Sequence, residues 1–167
     1  MTTKQEVIED ILDHTVRQKE SDGILSSEQI QHMLNVLGRT DIKIITEKEY
    51  FRLASHYKEP KYAILLPLSA EERLGATEIK NCPRLHTNTD INKSKNSQIG
   101  HWRCSRTDNK GVIHFDCSFG MKPPVDLHNR TIKYDRKIEQ HTKSTSCGYY
   151  CLLSLLTEGK MKAEPFF

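Results

Sequence analysis

Residues 140–156 read QHTKSTSCGYYCLLSLL. Ser144, Thr145 and Ser146 favour N-cap positions, and Tyr149, Tyr150, Leu152, Leu153, Leu155 and Leu156 then form an apolar run that Gly159 stops. The pattern predicts a buried helix beginning at or beside Cys147. Free amides and the positive end of the helix dipole favour a thiolate there, so the Cys147 pKa is expected below the roughly 8.5 of a free thiol. Cys151, one turn later, lacks that position, and Gln140 stands seven residues upstream. A cysteine on an apolar helix is more often a small packing residue than a nucleophile. What the rest of the chain supplies decides between the two.

The 167 residues suit one domain that buries about two-thirds of its unfolded surface, and a 36% hydrophobic content is adequate for a single modest core. The N-terminal MTTKQEVIED has no apolar signal region and no apolar run is long enough to span a bilayer, so the expectation is a protein that is not secreted and does not enter a membrane. Five cysteines, with no CxxC pair, are expected as reduced thiols rather than as disulfides or a zinc finger. Residues 1–78 carry ten basic and fourteen acidic side chains, whereas residues 79–143 carry thirteen basic and six acidic, a net charge of +7. Either an ordinary solvated surface or an attraction for nucleic acid or an acidic partner accounts for that asymmetry.

Along the chain, Val7, Ile8, Ile11, Leu12 and Val16 recur at helical spacing from Gln5 to about Lys19. Asp22-Gly23 breaks that helix. A second follows with Ser26 and Gln29 as a capping box and Gly38 at its end, so that residues 1–39 form an N-terminal helical part. Asp41 to Thr46 reads as a strand, Glu47 to His56 as a helix, and YAILLPL (62–68) as a central strand buried on both faces. Residues 69–99 are polar and rich in Asn, Thr and Lys, and read as a loop: either one wall of a substrate groove or a disordered insertion. HWRCSR and GVIHFD, joined by TDNKG, form a hairpin. With Arg106 opposite Gly111 or Val112, His101 falls across from Asp116 or Cys117. Thr131 to Tyr134 is a weak strand candidate, and residues 160–167 read as a tail.

A cysteine nucleophile needs a base within hydrogen-bond reach, and a third group that orients the base. His101 is the candidate base, Asp116 the orienter, and the Cys147 amide with the Gln140 side chain the candidate oxyanion donors. Gly148 keeps the turn after the nucleophile uncrowded. Gly100-His101-Trp102, then Asp116 with Ser118-Phe119-Gly120, then Gln140 with Ser146-Cys147-Gly148-Tyr149-Tyr150-Cys151 resemble the motifs of the adenovirus-type and ubiquitin-like-protein-specific cysteine proteases. The likeness covers about residues 40–158. It implies a single α+β domain in which the cysteine helix packs against a mixed or antiparallel central sheet, with the N-terminal helices added. Two features depart from the family pattern. Cys117 separates Asp116 from the Ser-Phe-Gly turn, and a one-residue shift reverses the facing of a strand side chain, so Asp116 needs a bulge or bend to re-aim it. Only twenty residues follow Cys147, so packing beyond the catalytic helix is expected from the two N-terminal helices.

The resemblance implies a thiol endopeptidase without metal or organic cofactor, cleaving after small residues such as Gly-Gly, with Trp102 and Gly148 on the substrate side. Within the group the likeness is greatest to capsid-maturation proteases. That implies viral precursor proteins as substrates, a monomer in the virion and the infected host cell, and DNA or an activating peptide as possible partners. Deconjugation of a ubiquitin-like modifier and acyl transfer with the same triad are the alternative chemistries. A binding module that has lost catalysis is the non-enzymatic one.

Overall fold

The computed structural model describes residues 2–19, 23–54, 58–66, 102–116, 132–134 and 146–166. Helix α1 (Lys4–His14) starts in a capping box: the Thr3 hydroxyl accepts the Glu6 N–H and the Glu6 carboxylate accepts the Thr3 N–H. Helix α2 (Ser27–Leu37) repeats the device with Ser26 and Gln29, and ends at Gly38 in the left-handed conformation. The expected first helix was longer; α1 stops at His14, where the Thr15 hydroxyl turns back onto the Ile11 carbonyl, and Val16 lies exposed beyond it.

Strand β1 (Ile42–Thr46), helix α3 (Glu47–Ala54) and strand β2 (Tyr62–Leu66) form a parallel β-α-β unit. Strands β3 (Arg103–Thr107) and β4 (Ile113–Asp116) extend the sheet antiparallel, and β5 (Ile132–Tyr134) closes it parallel to β4, giving the order β1-β2-β3-β4-β5. Helix α4 (Cys147–Leu156) follows, then a 3-10 turn at Glu164–Phe166. The architecture is α+β with a mixed sheet.

Strand alternation sorts the side chains into two cores. On one face Ile42, Tyr62, Ile64, Trp102 and Cys104 pack with α1, α2 and α4. On the other Ala63, Leu65, Ile113 and Phe115 pack with Tyr50 of α3. Tyr62 to Leu65 are all buried, as the apolar run predicts for a strand covered on both faces. The expected support for the cysteine helix is present: α1 packs against α4, the Tyr149 hydroxyl donates to Asp10 at 2.9 Å, and the His14 ring stacks on the Tyr149 ring at 3.9 Å.

Two expectations are corrected. The end of the chain is not a free tail, because Met161, Ala163 and Phe166 pack against the main core. The reversal after α4 is held by Thr157, whose hydroxyl donates to the Leu153 carbonyl and accepts the Met161 N–H. The hairpin register also differs. Asp108 N–H donates to the Val112 carbonyl, Gly111 N–H donates to the Asp108 carbonyl, and Gly111 lies at φ 78°, a three-residue loop with a glycine bulge. The Asp108 carboxylate fixes the loop by accepting the N–H groups of Lys110 and Val112. Arg106 therefore pairs with His114, and Asp116 with Cys104, rather than with His101. Residues 69–99 lie outside the described residues.

Candidate active site

Cys147 is the first residue of α4, where the apolar run meets Ser146. Ser146 is the N-cap residue, but its side chain makes no capping hydrogen bond. The Cys147 sulfur accepts the backbone N–H of Trp102 at 3.2 Å. A donor aimed at sulfur favours the thiolate over the thiol. It also fixes the start of β3 beside the start of α4.

The segment that joins α1 to α2 closes over this junction. Trp102 is 1% exposed and its indole N–H donates to the Leu25 carbonyl at 2.8 Å. Leu25 also lies against Gly148, where an added Cβ would stand 3.2 Å from Leu25 Cδ1 and 3.3 Å from Trp102 Cδ1. Gly23 approaches so closely that a Cβ there would meet Ser146 Oγ at 2.7 Å and Tyr149 Cδ2 at 2.9 Å. Trp102 and Gly148, expected on the substrate side, both lie against Leu25. Sequence reasoning missed Leu25, and no local signal marks it, because its role comes from a contact with residues 77 and 123 positions away. Beside this junction a groove of about 790 Å³ runs between α1 and α2, with Val7, Leu25, Met33 and Tyr149 in it and Glu6, Asp10 and Glu28 along it.

Asp116 ends β4 opposite Cys104. Directly paired residues share a sheet face, and Cys104 faces α4, so Asp116 lies on the α4 side with no bulge within β4 itself. Its charge is one of the influences on Cys151, after burial and the neighbouring thiols. Burial, then the hydrogen bond with Cys104, pushes the Cys151 thiol well above its ordinary range. Cys151 is therefore an inert neighbour of Cys147, as its place one turn into the helix predicts. His101, Gln140 and the 117–120 turn lie outside the described residues, so the structure brings together Cys147, Trp102, Gly148 and the face bearing Asp116.

Among the described residues no group of three or more His, Cys, Asp and Glu side chains is arranged to hold a metal ion, and no helix is long and apolar enough to cross a membrane. The fold and the site define an α+β domain with a cysteine at the head of a buried helix against a mixed sheet. No protein-family model, curated protein or solved structure matches the chain.

Proposed function

We propose that the chain is a cysteine endopeptidase with Cys147 as nucleophile, His101 as base and Asp116 as orienter. The observation that carries the reading is the 3.2 Å hydrogen bond from the Trp102 amide to Cys147 Sγ. It ties the nucleophile to the residue that directly follows His101 in the chain. Asp116 supports the reading from the same sheet face as α4. In the proposed cycle His101 takes the proton from Cys147, and the thiolate attacks the peptide carbonyl. The Cys147 amide and the Gln140 side chain hold the oxyanion. Collapse expels the amine with the proton from His101, and water then releases the acyl group. The resemblance of the three motifs extends the proposal to virion precursor proteins cleaved after small residues.

The test is the rate of iodoacetamide alkylation across pH, with mass spectrometry locating the label, in the wild type, His101→Ala and Asp116→Ala, followed by cleavage of Gly-Gly peptides. Selective labelling of Cys147 at neutral pH that falls in both variants, together with Gly-Gly cleavage lost in Cys147→Ser, is the expected result. Slow labelling indifferent to His101 refutes the triad. Loss in His101→Ala alone removes Asp116 from it. Acetyl transfer without cleavage replaces the peptidase by the acyltransferase reading.

A further inference from the structure

At the other end of α4 the sheet register builds a row of bases. Arg106 of β3 pairs with His114 of β4, and His114 pairs with Lys133 of β5. Neighbouring strands stand about 4.8 Å apart, so Arg106 and Lys133 flank His114 from either side. All three side chains line a cavity of about 300 Å³ that Phe115, Leu155 and Met161 wall with apolar surface. That volume is at the small end of the roughly 300–1,000 Å³ usual for small-molecule sites.

Two carboxylates stand by this row. The His114 ring is hydrogen-bonded to Asp108 through Nε2 at 2.9 Å. Asp116 stands one pair along on the same face, beside Cys104, and both line the cavity. Arg106, half-buried, is held against Gly159, where an added Cβ would lie 2.9 Å from its Nη2. Proximity to the C-terminal end of α4 favours a cation there, but it uses none of the guanidinium's five N–H donors. Among the described residues the side chains of Arg106 and Lys133 make no hydrogen bond or ion pair. The buried Ser154 hydroxyl, which also lines the cavity, makes none either.

We propose that this cavity binds a small oxyanion, a carboxylate or phosphate group, gripped by Arg106 and Lys133 with Ser154 as an additional donor. A planar guanidinium presents parallel N–H groups that fit such an anion bidentately, and the anion supplies an acceptor that neither cation has among the described residues. Cys147 lies seven residues before Ser154 on α4, about 10 Å along the helix axis. The cavity lies away from the Cys147 sulfur but shares Asp116 with the candidate catalytic face; anion binding by Arg106 and Lys133 does not require Cys147 to be a nucleophile.

The test is an NMR titration of the full chain with inorganic phosphate and, separately, with acetate, at constant ionic strength. The expected result is saturable shifts at Arg106, Ser154 and Gly159. Affinity falls at least about tenfold in Arg106→Gln, the loss expected when a charge-assisted bidentate contact is removed. Lys133→Gln, at an exposed position on the end strand, weakens binding as well and decides the matter if Arg106→Gln fails to fold. Saturation with phosphate alone assigns a phosphate group, and saturation with acetate too assigns a carboxylate-competent site. Shifts that saturate with neither anion, or that are the same in the folded variants as in the wild type, overturn the proposal.

Discussion

Gly148→Ala tests whether the N-terminal segment is packed as tightly over the cysteine helix as the distances state. The new methyl would stand 3.2 Å from Leu25 Cδ1, 3.3 Å from Trp102 Cδ1 and 3.4 Å from Leu25 Cβ. Overpacking of this kind costs about 1–3 kcal/mol. Replacing a helical glycine by alanine returns up to about 1 kcal/mol. The variant should therefore be destabilised by about 0–2 kcal/mol instead of gaining stability. Leu25→Ala alone should cost about 2–5 kcal/mol, because Leu25 is buried against Trp102 and Gly148. In that background the closest contact, Leu25 Cδ1, is gone while Trp102 Cδ1 and the Cβ at position 25 remain, so Gly148→Ala should cost less there than in the wild type. Urea unfolding followed by the fluorescence of Trp102, the single tryptophan, measures all four proteins of the cycle. A stabilising Gly148→Ala in the wild-type background, or the same effect in both within about 0.5 kcal/mol, would refute the packing account.

Three other outcomes follow from single contacts. Cys151 should resist alkylation in the native protein between pH 7 and 9, because burial and then the hydrogen bond with Cys104 raise its thiol well above its ordinary range; native-state peptide mapping reads the site. The hydrogen bond from His114, then those from the Val112 and Lys110 amides, hold Asp108 at about 2 against an ordinary 3.8. A depressed carboxylate stabilises the fold above its unfolded pKa and loses that contribution as pH falls towards the folded value. Asp108→Asn should thus flatten the fall in urea midpoint between pH 4 and pH 2, and an unchanged slope there contradicts the loop clamp. Tyr50→Phe should cost about 1–3 kcal/mol, since it strands the buried Ser105 hydroxyl that shares a 2.6 Å hydrogen bond with Tyr50. Adding Ser105→Ala should recover part of that loss in equilibrium unfolding.

Where local chemistry decides an element, the sequence was sufficient. The capping box of α2, the glycine after it and the two-sided burial of β2 depend on residues within a few positions of one another. The packing of residues 161–166 was not legible. Met161, Ala163 and Phe166 are separated by lysines, glutamate and proline, so no stripe announces that they meet the core. What turns them inward is Thr157 and the residues at positive φ, Glu158, Gly159 and Met161, which reverse the chain after α4.

The candidate site divides along the same line. The position of Cys147 at the head of α4 was legible because an N-terminus and an apolar run are written locally around it. The hairpin that carries Asp116 was legible as a hairpin but not in register, since register depends on how the loop closes. The signal was nevertheless present: Asp108 with Gly111 three residues later specifies a turn followed by a left-handed glycine. Pairing Asp108 with Val112 then forces Arg106 opposite His114 and Asp116 opposite Cys104. That register puts Asp116 on the α4 face with no bulge within β4, and it aligns Arg106, His114 and Lys133 across three strands. One loop clamp thereby sets both the facing of the candidate acid and the basic row of the second cavity. Asp108→Asn should consequently disturb the two together, raising the phosphate dissociation constant and altering the Asp116-dependent component of Cys147 labelling. An effect on either one alone would mean that the loop does not fix the register of the whole hairpin.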